Sequence, residues 1–132
     1  ACRDAVATPV QSASADSFAD HTPCEPTASI AKRVSACRTL QSKRYRGWKT
    51  SVNGLLDSEG IARFLKDDLD RHVSFTAMME EKGLSSRGII AVFKIARTLA
   101  DLELSPHIRT EHLDEAFSLR CQEAENWYWT SF

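Results

Sequence analysis

The sequence has no G-x-x-x-x-G-K-[ST] loop, so it carries no backbone nest that could cradle a triphosphate. No strand-like segment ends in paired acids that could hold Mg²⁺. No apolar run approaches the roughly 20 residues that span a bilayer, and no charged stretch followed by an apolar one opens the chain. The expectation is a cytoplasmic chain without a membrane partner, whose start at Ala1 is what an excised fragment would look like. Cys2, Cys24, Cys37 and Cys121 form no Cys-x-x-Cys pair, and with His21, His72, His107 and His112 they make no zinc-type spacing. Reduced thiols and no metal site are expected. No Ser/His/Asp or Cys/His constellation has motif support, so the chain reads as not an enzyme by itself.

What is present is an ordinary globular composition, 132 residues with 42% hydrophobic and 27% charged side chains. That length fits one domain with a modest core. The net charge of -1 hides an asymmetry. Between Ile30 and Thr50 lie Lys32, Arg33, Arg38, Lys43, Arg44, Arg46 and Lys49 and no acid, while the flanks on both sides are net acidic. Only this stretch suggests an anionic partner by charge.

Residues 1–25 are rich in Ala, Ser, Asp, Thr and Pro and show no helical or strand period, so they read as a flexible arm or linker. A helix is expected from Pro26–Ser29 to about Tyr45, capped by Thr27 or Ser29, with Ile30, Val34, Cys37 and Leu40 on one stripe. Gly47–Gly54 reads as a loop. A short helix follows over about Ser58–Lys66, then one over about Asp67–Lys82 with Leu69, Val73, Ala77 and Met78 inward and Gly83 as its C-cap. Ser85 fits the N-cap of a long helix reaching about Glu103, apolar on most sides and so expected at the centre of the bundle. Its one polar face carries Arg87, Lys94, Thr98 and Asp101. Thr110 would cap a last helix through Leu113, Ala116 and Phe117, followed by an aromatic tail at 127–132. No strand pattern of usable length occurs. The architecture expected is all-α, a bundle of four to five helices over residues 26–126.

One block is more specific than the rest. Leu84-Ser85-Ser86-Arg87 precedes Lys94-Ile95-Ala96-Arg97-Thr98-Leu99-Ala100-Asp101-Leu102-Glu103, and Ile108-Arg109 leads to His112-Leu113, Glu115-Ala116 and Arg120. The first helix adds Ser29-Ile30, Arg33-Val34, Ala36, Arg38, Gln41 and Arg44. Together these resemble the C-terminal lid domain of magnesium-chelatase-like AAA+ ATPases of the ComM/YifB competence-protein type. The resemblance covers roughly Ser29–Arg120. It departs where the family usually has an aromatic and a basic or His residue after the arginine; here Gly88-Ile89-Ile90-Ala91 stands, and near the C-terminus a Tyr-Arg of the family is Leu119-Arg120.

The resemblance implies a lid that contributes a sensor-2 arginine, Arg87, to ATP and Mg²⁺ bound by the intact protein, with nothing bound to this piece alone. Its implied partners are the N-terminal AAA+ core of the same protein, neighbouring subunits of a hexamer, and DNA. Each residue also has a plainer reading. Arg87 suits a solvated first turn. Arg97 suits an i, i+4 pair with Asp101 better than a nucleotide contact. Lys94 suits a solvated face. Arg33, Arg38 and Arg44 suit nucleotide, a neighbouring subunit or DNA, or simply a basic helix surface. His112 suits packing or capping. The aromatic tail suits cover for the bundle or a docking site. A different class altogether, a stand-alone helical DNA-binding or protein-interaction module using residues 30–50, remains the alternative.

Overall fold

A computed structural model of the chain describes the backbone of residues 24–130 and the side chains of residues 24–120. The arm expected at 1–25 therefore lies almost wholly outside the described residues, as do the side chains of the aromatic tail. The described chain is all-helical: α1 (Thr27–Arg44), a 3-10 turn (Asn53–Leu55), α2 (Ser58–Phe64), α3 (Lys66–Arg71), α4 (Val73–Glu81), α5 (Ser86–Leu102) and α6 (Thr110–Thr130). Among the described residues, none of these helices is long and apolar enough to cross a membrane.

α5 is the hub, as its nearly all-round apolar surface requires. It packs against α6, α1, α4 and the 3-10 turn. Val92, Phe93, Ala96 and Ala100 of α5 are fully buried against Met79 of α4 and Leu113 and Ala116 of α6. Small residues on α5 and α6 let the two backbones approach, and Phe93 fills the space between layers. A second, smaller core gathers Tyr45, Leu56 and Leu65, with Phe64 edge-on to both Tyr45 and Trp48 at ring separations of 4.8 and 5.4 Å. Gly60 belongs to this core. A methyl group there would sit 2.8 Å from the Leu56 side chain and 3.2 Å from the Trp48 ring nitrogen.

Several local expectations need correction. Neither Thr27 nor Ser29 caps α1. Pro26 occupies the N-cap with its fixed φ of -60°, no side chain caps, and its carbonyl takes the first helical bonds from Ser29 and Ile30. Ile30 and Val34 are 43% and 46% exposed, because the first turns of α1 overhang the bundle; the inward face is Cys37, Gln41 and, just past the helix, Tyr45. The single helix expected over 67–82 is two. The backbone breaks at His72, which places the His72 Nε2–H on the Ile108 carbonyl at 2.9 Å. That break rotates α4, so Val73 is 63% exposed and Met79, not Val73, is inward. α6 is not capped by Thr110. His112 reaches back from the first turn, its Nδ1 accepting from the Arg109 backbone N–H at 3.0 Å and its Nε2–H donating to Glu103 at 2.7 Å. This is the back half of a capping box, with imidazole in the usual place of Glu or Gln.

Two helix ends are closed by the same device. After α4, Gly83 (φ 87°) and Leu84 donate to the Glu80 and Met79 carbonyls. After α5, Leu104 and Ser105 donate to Asp101 and Ala100. Both are Schellman motifs, but the second puts a leucine at φ 56° where glycine is usual. The α6 backbone runs on through Thr130, so the stretch read as a tail after residue 126 is helical as far as that residue.

Candidate functional site

The polar stripe on α5 is where structure departs most usefully from sequence. Of its four members, three are used inside the molecule. Lys94 Nζ donates to the Leu56 carbonyl at 2.9 Å, holding the segment after the 3-10 turn. Thr98 Oγ1 accepts from Asn53 Nδ2 at 3.1 Å. Asp101 has no exposed surface at all and anchors a buried ionic cluster. What the sequence presents as a solvent face is the seam on which α1 and the 3-10 turn dock. Only Arg87 is left outside, exposed in the first turn of α5.

The cluster around Asp101 satisfies every charge it buries. Arg44 of α1 grips the carboxylate with both terminal nitrogens, one of them 2.9 Å from Oδ2. Arg97 reaches Oδ1 from Nε at 3.1 Å and from Nη2 at 2.9 Å. Asn53 Nδ2 adds a fifth donor at 3.0 Å. Arg97, only 3% exposed, also donates to the Ser105 and Pro106 carbonyls and lies 3.9 Å from Asp68. Asp68 in turn receives the Ile108 amide. Burial alone would raise the Asp101 pKa, but the bonds from Arg44 and Asn53 and the charge of Arg97 hold it below the usual carboxylate value. Burial likewise works against charged Arg44, yet Asp101 keeps it protonated far above neutrality. The Tyr45 hydroxyl, donating to Asn53 Oδ1 at 2.5 Å, is pushed up by burial, and so is the Cys37 thiol beneath Gln41.

The sequence anticipated the Arg97–Asp101 pair, which is present. It missed Asn53, and it gave Gln41 only as part of the family pattern of the first helix, not as an interior partner. Asn53 lay in a run read as turn chemistry, yet it is 1% exposed, and its amide N–H is met by Gln41 Oε1 at 3.1 Å. A turn asparagine and a buried bridging asparagine are indistinguishable by pattern.

The seven cations of the 30–50 stretch do not form one patch. Arg44 is committed to Asp101. Arg33 pairs with Glu25, one bond being 2.9 Å. Lys49 lies between Asp57 and Glu59 at 3.2 and 2.9 Å. Lys32, Arg38, Lys43 and Arg46 are exposed, spread over more than one side of α1 and the turn after it. Among the described residues no three His, Cys, Asp or Glu side chains gather as a metal site.

The start of α5 is built tightly. The Schellman turn at Gly83 ends α4 and leaves Ser85 as the cap of α5, its Oγ accepting from the Gly88 N–H at 3.2 Å. The Ile89 N–H bonds the Ser85 carbonyl. The amides of Ser86 and Arg87 are the donors remaining in that first turn, beside the Arg87 guanidinium. Residues 24–120, which include all of this geometry, match the family described as magnesium chelatase, subunit ChlI C-terminal. The chain belongs to this family. It is 36% identical over 98 residues to the uncharacterized protein YifB of Escherichia coli K12, covering 74% of this chain and 19% of that protein. It is 35% identical over 98 residues to the uncharacterized protein YifB of Salmonella typhimurium LT2, covering 73% of this chain and 18% of that protein. The chain thus spans under a fifth of the length of these curated relatives. No solved structure matches it.

Proposed function

We propose that this magnesium-chelatase-type domain is the helical lid of an AAA+ ATPase and presents Arg87 to the γ-phosphate of ATP as a sensor-2 arginine. The observation that carries the reading is the sorting of the α5 stripe. Lys94, Thr98 and Asp101 are consumed by docking, and the arginine at the capped start of the helix is not. The place suits a phosphate. A guanidinium offers two parallel donors to an anionic oxygen pair, and the helix start adds unpaired amides and a favourable dipole. ATP with Mg²⁺, held mainly by the core of the longer protein, would supply the phosphoryl group. Arg87 would bind and orient its terminal oxygens and stabilise charge that builds on them. When that phosphate leaves, the contact is lost and the lid is free to move against a neighbouring subunit.

In this reading the chain has no catalytic activity alone, and DNA is the substrate of the intact motor. Release of phosphate from ATP by the isolated chain should be undetectable. In the intact protein, Arg87→Ala should lower ATP turnover while leaving thermal unfolding of the lid unchanged. Normal turnover in that variant would remove the proposal. The alternative, a stand-alone DNA-binding bundle, finds little support in a basic stretch whose Arg33, Arg44 and Lys49 are already paired with acids of the same chain.

A further inference from the structure

An arginine that grips phosphate oxygens through two parallel donors works only from one place and one direction. Misplacing such a group by about 1 Å can cost on the order of 10²-fold in rate. Arg87 sits where little else holds the chain. Ser85, Ser86 and Arg87 are all exposed, between Leu84, which packs on the main core, and Ile89, which is buried in it. Gly88 is buried but brings no side chain to anchor the turn, and glycine is a poor helix former. A capping box would place Glu or Gln at this third helical position to reach back to the cap, and that half is absent here. What ties the turn is Ser85. Its Oγ accepts from the Gly88 N–H at 3.2 Å, and its carbonyl accepts from the Ile89 N–H at 2.9 Å. These two bonds straddle Arg87 and fix the direction in which its side chain leaves the helix.

We infer that Ser85 is a positioning residue for Arg87. Its hydroxyl holds the first turn of α5 in the geometry from which the guanidinium reaches phosphate, and its neutrality keeps that place open to an anion. The inference rests on the sensor-2 reading of Arg87. The helix α2 shows the other chemistry a cap can use. There Asp57 accepts from the Gly60 N–H at 2.8 Å. A carboxylate caps a helix as well as a hydroxyl does. At the start of α5 it would also set a fixed negative charge beside the phosphate, repelling the ligand that Arg87 attracts. Ser85 gives the cap without the charge. Its backbone, at φ -70° and ψ 161°, is open to any residue with a Cβ, so hydroxyl, amide and carboxylate can be exchanged there without strain.

Steady-state ATP hydrolysis by the longer protein tests this, with thermal unfolding recorded for every variant. Ser85→Ala should lower kcat/KM on the order of fivefold, the population loss that a missing cap allows. In an Arg87→Ala background the same change should lower it no further, because the group that Ser85 aims is gone. Ser85→Asn supplies a neutral acceptor and should keep wild-type turnover. Ser85→Asp should keep the thermal unfolding of the wild type, yet raise KM for ATP severalfold over Ser85→Asn through its charge. A cap that served stability alone would leave the Asn and Asp variants alike, and would act equally with and without Arg87. Arg87→Ala at wild-type turnover would remove the sensor-2 reading and the role of Ser85 with it. With Arg87→Ala slow, an unimpaired Ser85→Ala, or equal losses from Ser85→Ala in both backgrounds, would overturn the role of Ser85 alone. So would Ser85→Asp with the same KM as Ser85→Asn.

Discussion

Asp101 is the residue on which most of the interior polarity depends. It accepts from Arg44, Arg97 and Asn53 with no water-exposed surface. Replacing it by Asn removes the carboxylate shared by Arg44 and Arg97 and leaves the buried Arg97 with only Asp68, 3.9 Å away, as counter-charge. Loss of one partner of a buried ion pair typically costs about 3–5 kcal/mol. Asp101→Asn should lower unfolding stability by that order in urea titrations. The acid limb follows from the same carboxylate. Its folded pKa lies below its unfolded value, so the stability it brings is complete above the unfolded value of about 4 and is lost as pH falls through the folded value. Melting temperature of the wild-type chain should drop below about pH 4, and this component should be missing in Asp101→Asn. Leu104 is the opposite case. Its φ of 56° costs a residue with a Cβ roughly 1 kcal/mol, and its side chain is 65% exposed. Leu104→Gly should therefore raise stability, or leave it unchanged once the extra chain entropy of glycine is counted. A clear loss on chemical denaturation would contradict this.

At the scale of the element, the two buried glycines of the helices predict opposite outcomes. Gly88, in the first turn of α5, has room for a methyl group, with its nearest neighbours at 3.6 and 3.7 Å. Gly88→Ala should stabilise by about 0.5–1 kcal/mol through helix propensity. Gly60 has no such room, since the buried Leu56 side chain would be 2.8 Å away. Gly60→Ala should cost about 1–3 kcal/mol, the usual size of overpacking. Differential scanning of the two variants checks both signs together. The helices were legible where pattern alone decides. Ser85 caps α5, Gly83 closes α4, and α5 is buried nearly all round, each as read from sequence. What escaped was decided by tertiary contacts. The break at His72 exists because Asp68 and His72 both hold Ile108, 36 or more residues away. The overhang of α1 depends on where α5 stops, which no periodicity within α1 encodes. The polar stripe of α5 was visible, but polarity does not say whether water or Arg44 will meet it.

For the whole molecule, charge pairing limits what the domain does alone. With Arg33, Arg44 and Lys49 engaged, the remaining cations of the basic stretch do not line one groove. Binding of duplex DNA by the isolated chain should be no tighter than the roughly 10⁻⁴–10⁻⁶ M of non-specific association, with a shallow salt slope. A nanomolar, steeply salt-dependent complex in a fluorescence titration would favour the stand-alone DNA-binding module instead. The family assignment and the exposed Arg87 of the α5 stripe are what support the proposed lid instead, a part that would work on a nucleotide held elsewhere in a longer protein. The most direct measurement is steady-state ATP hydrolysis by that longer protein with Arg87→Ala, beside Arg109→Ala as a control at another exposed arginine. Removing a donor that acts on developing phosphoryl charge should reduce turnover on the order of 10²-fold, with Arg109→Ala near wild type. Equal turnover in all three proteins would contradict the account.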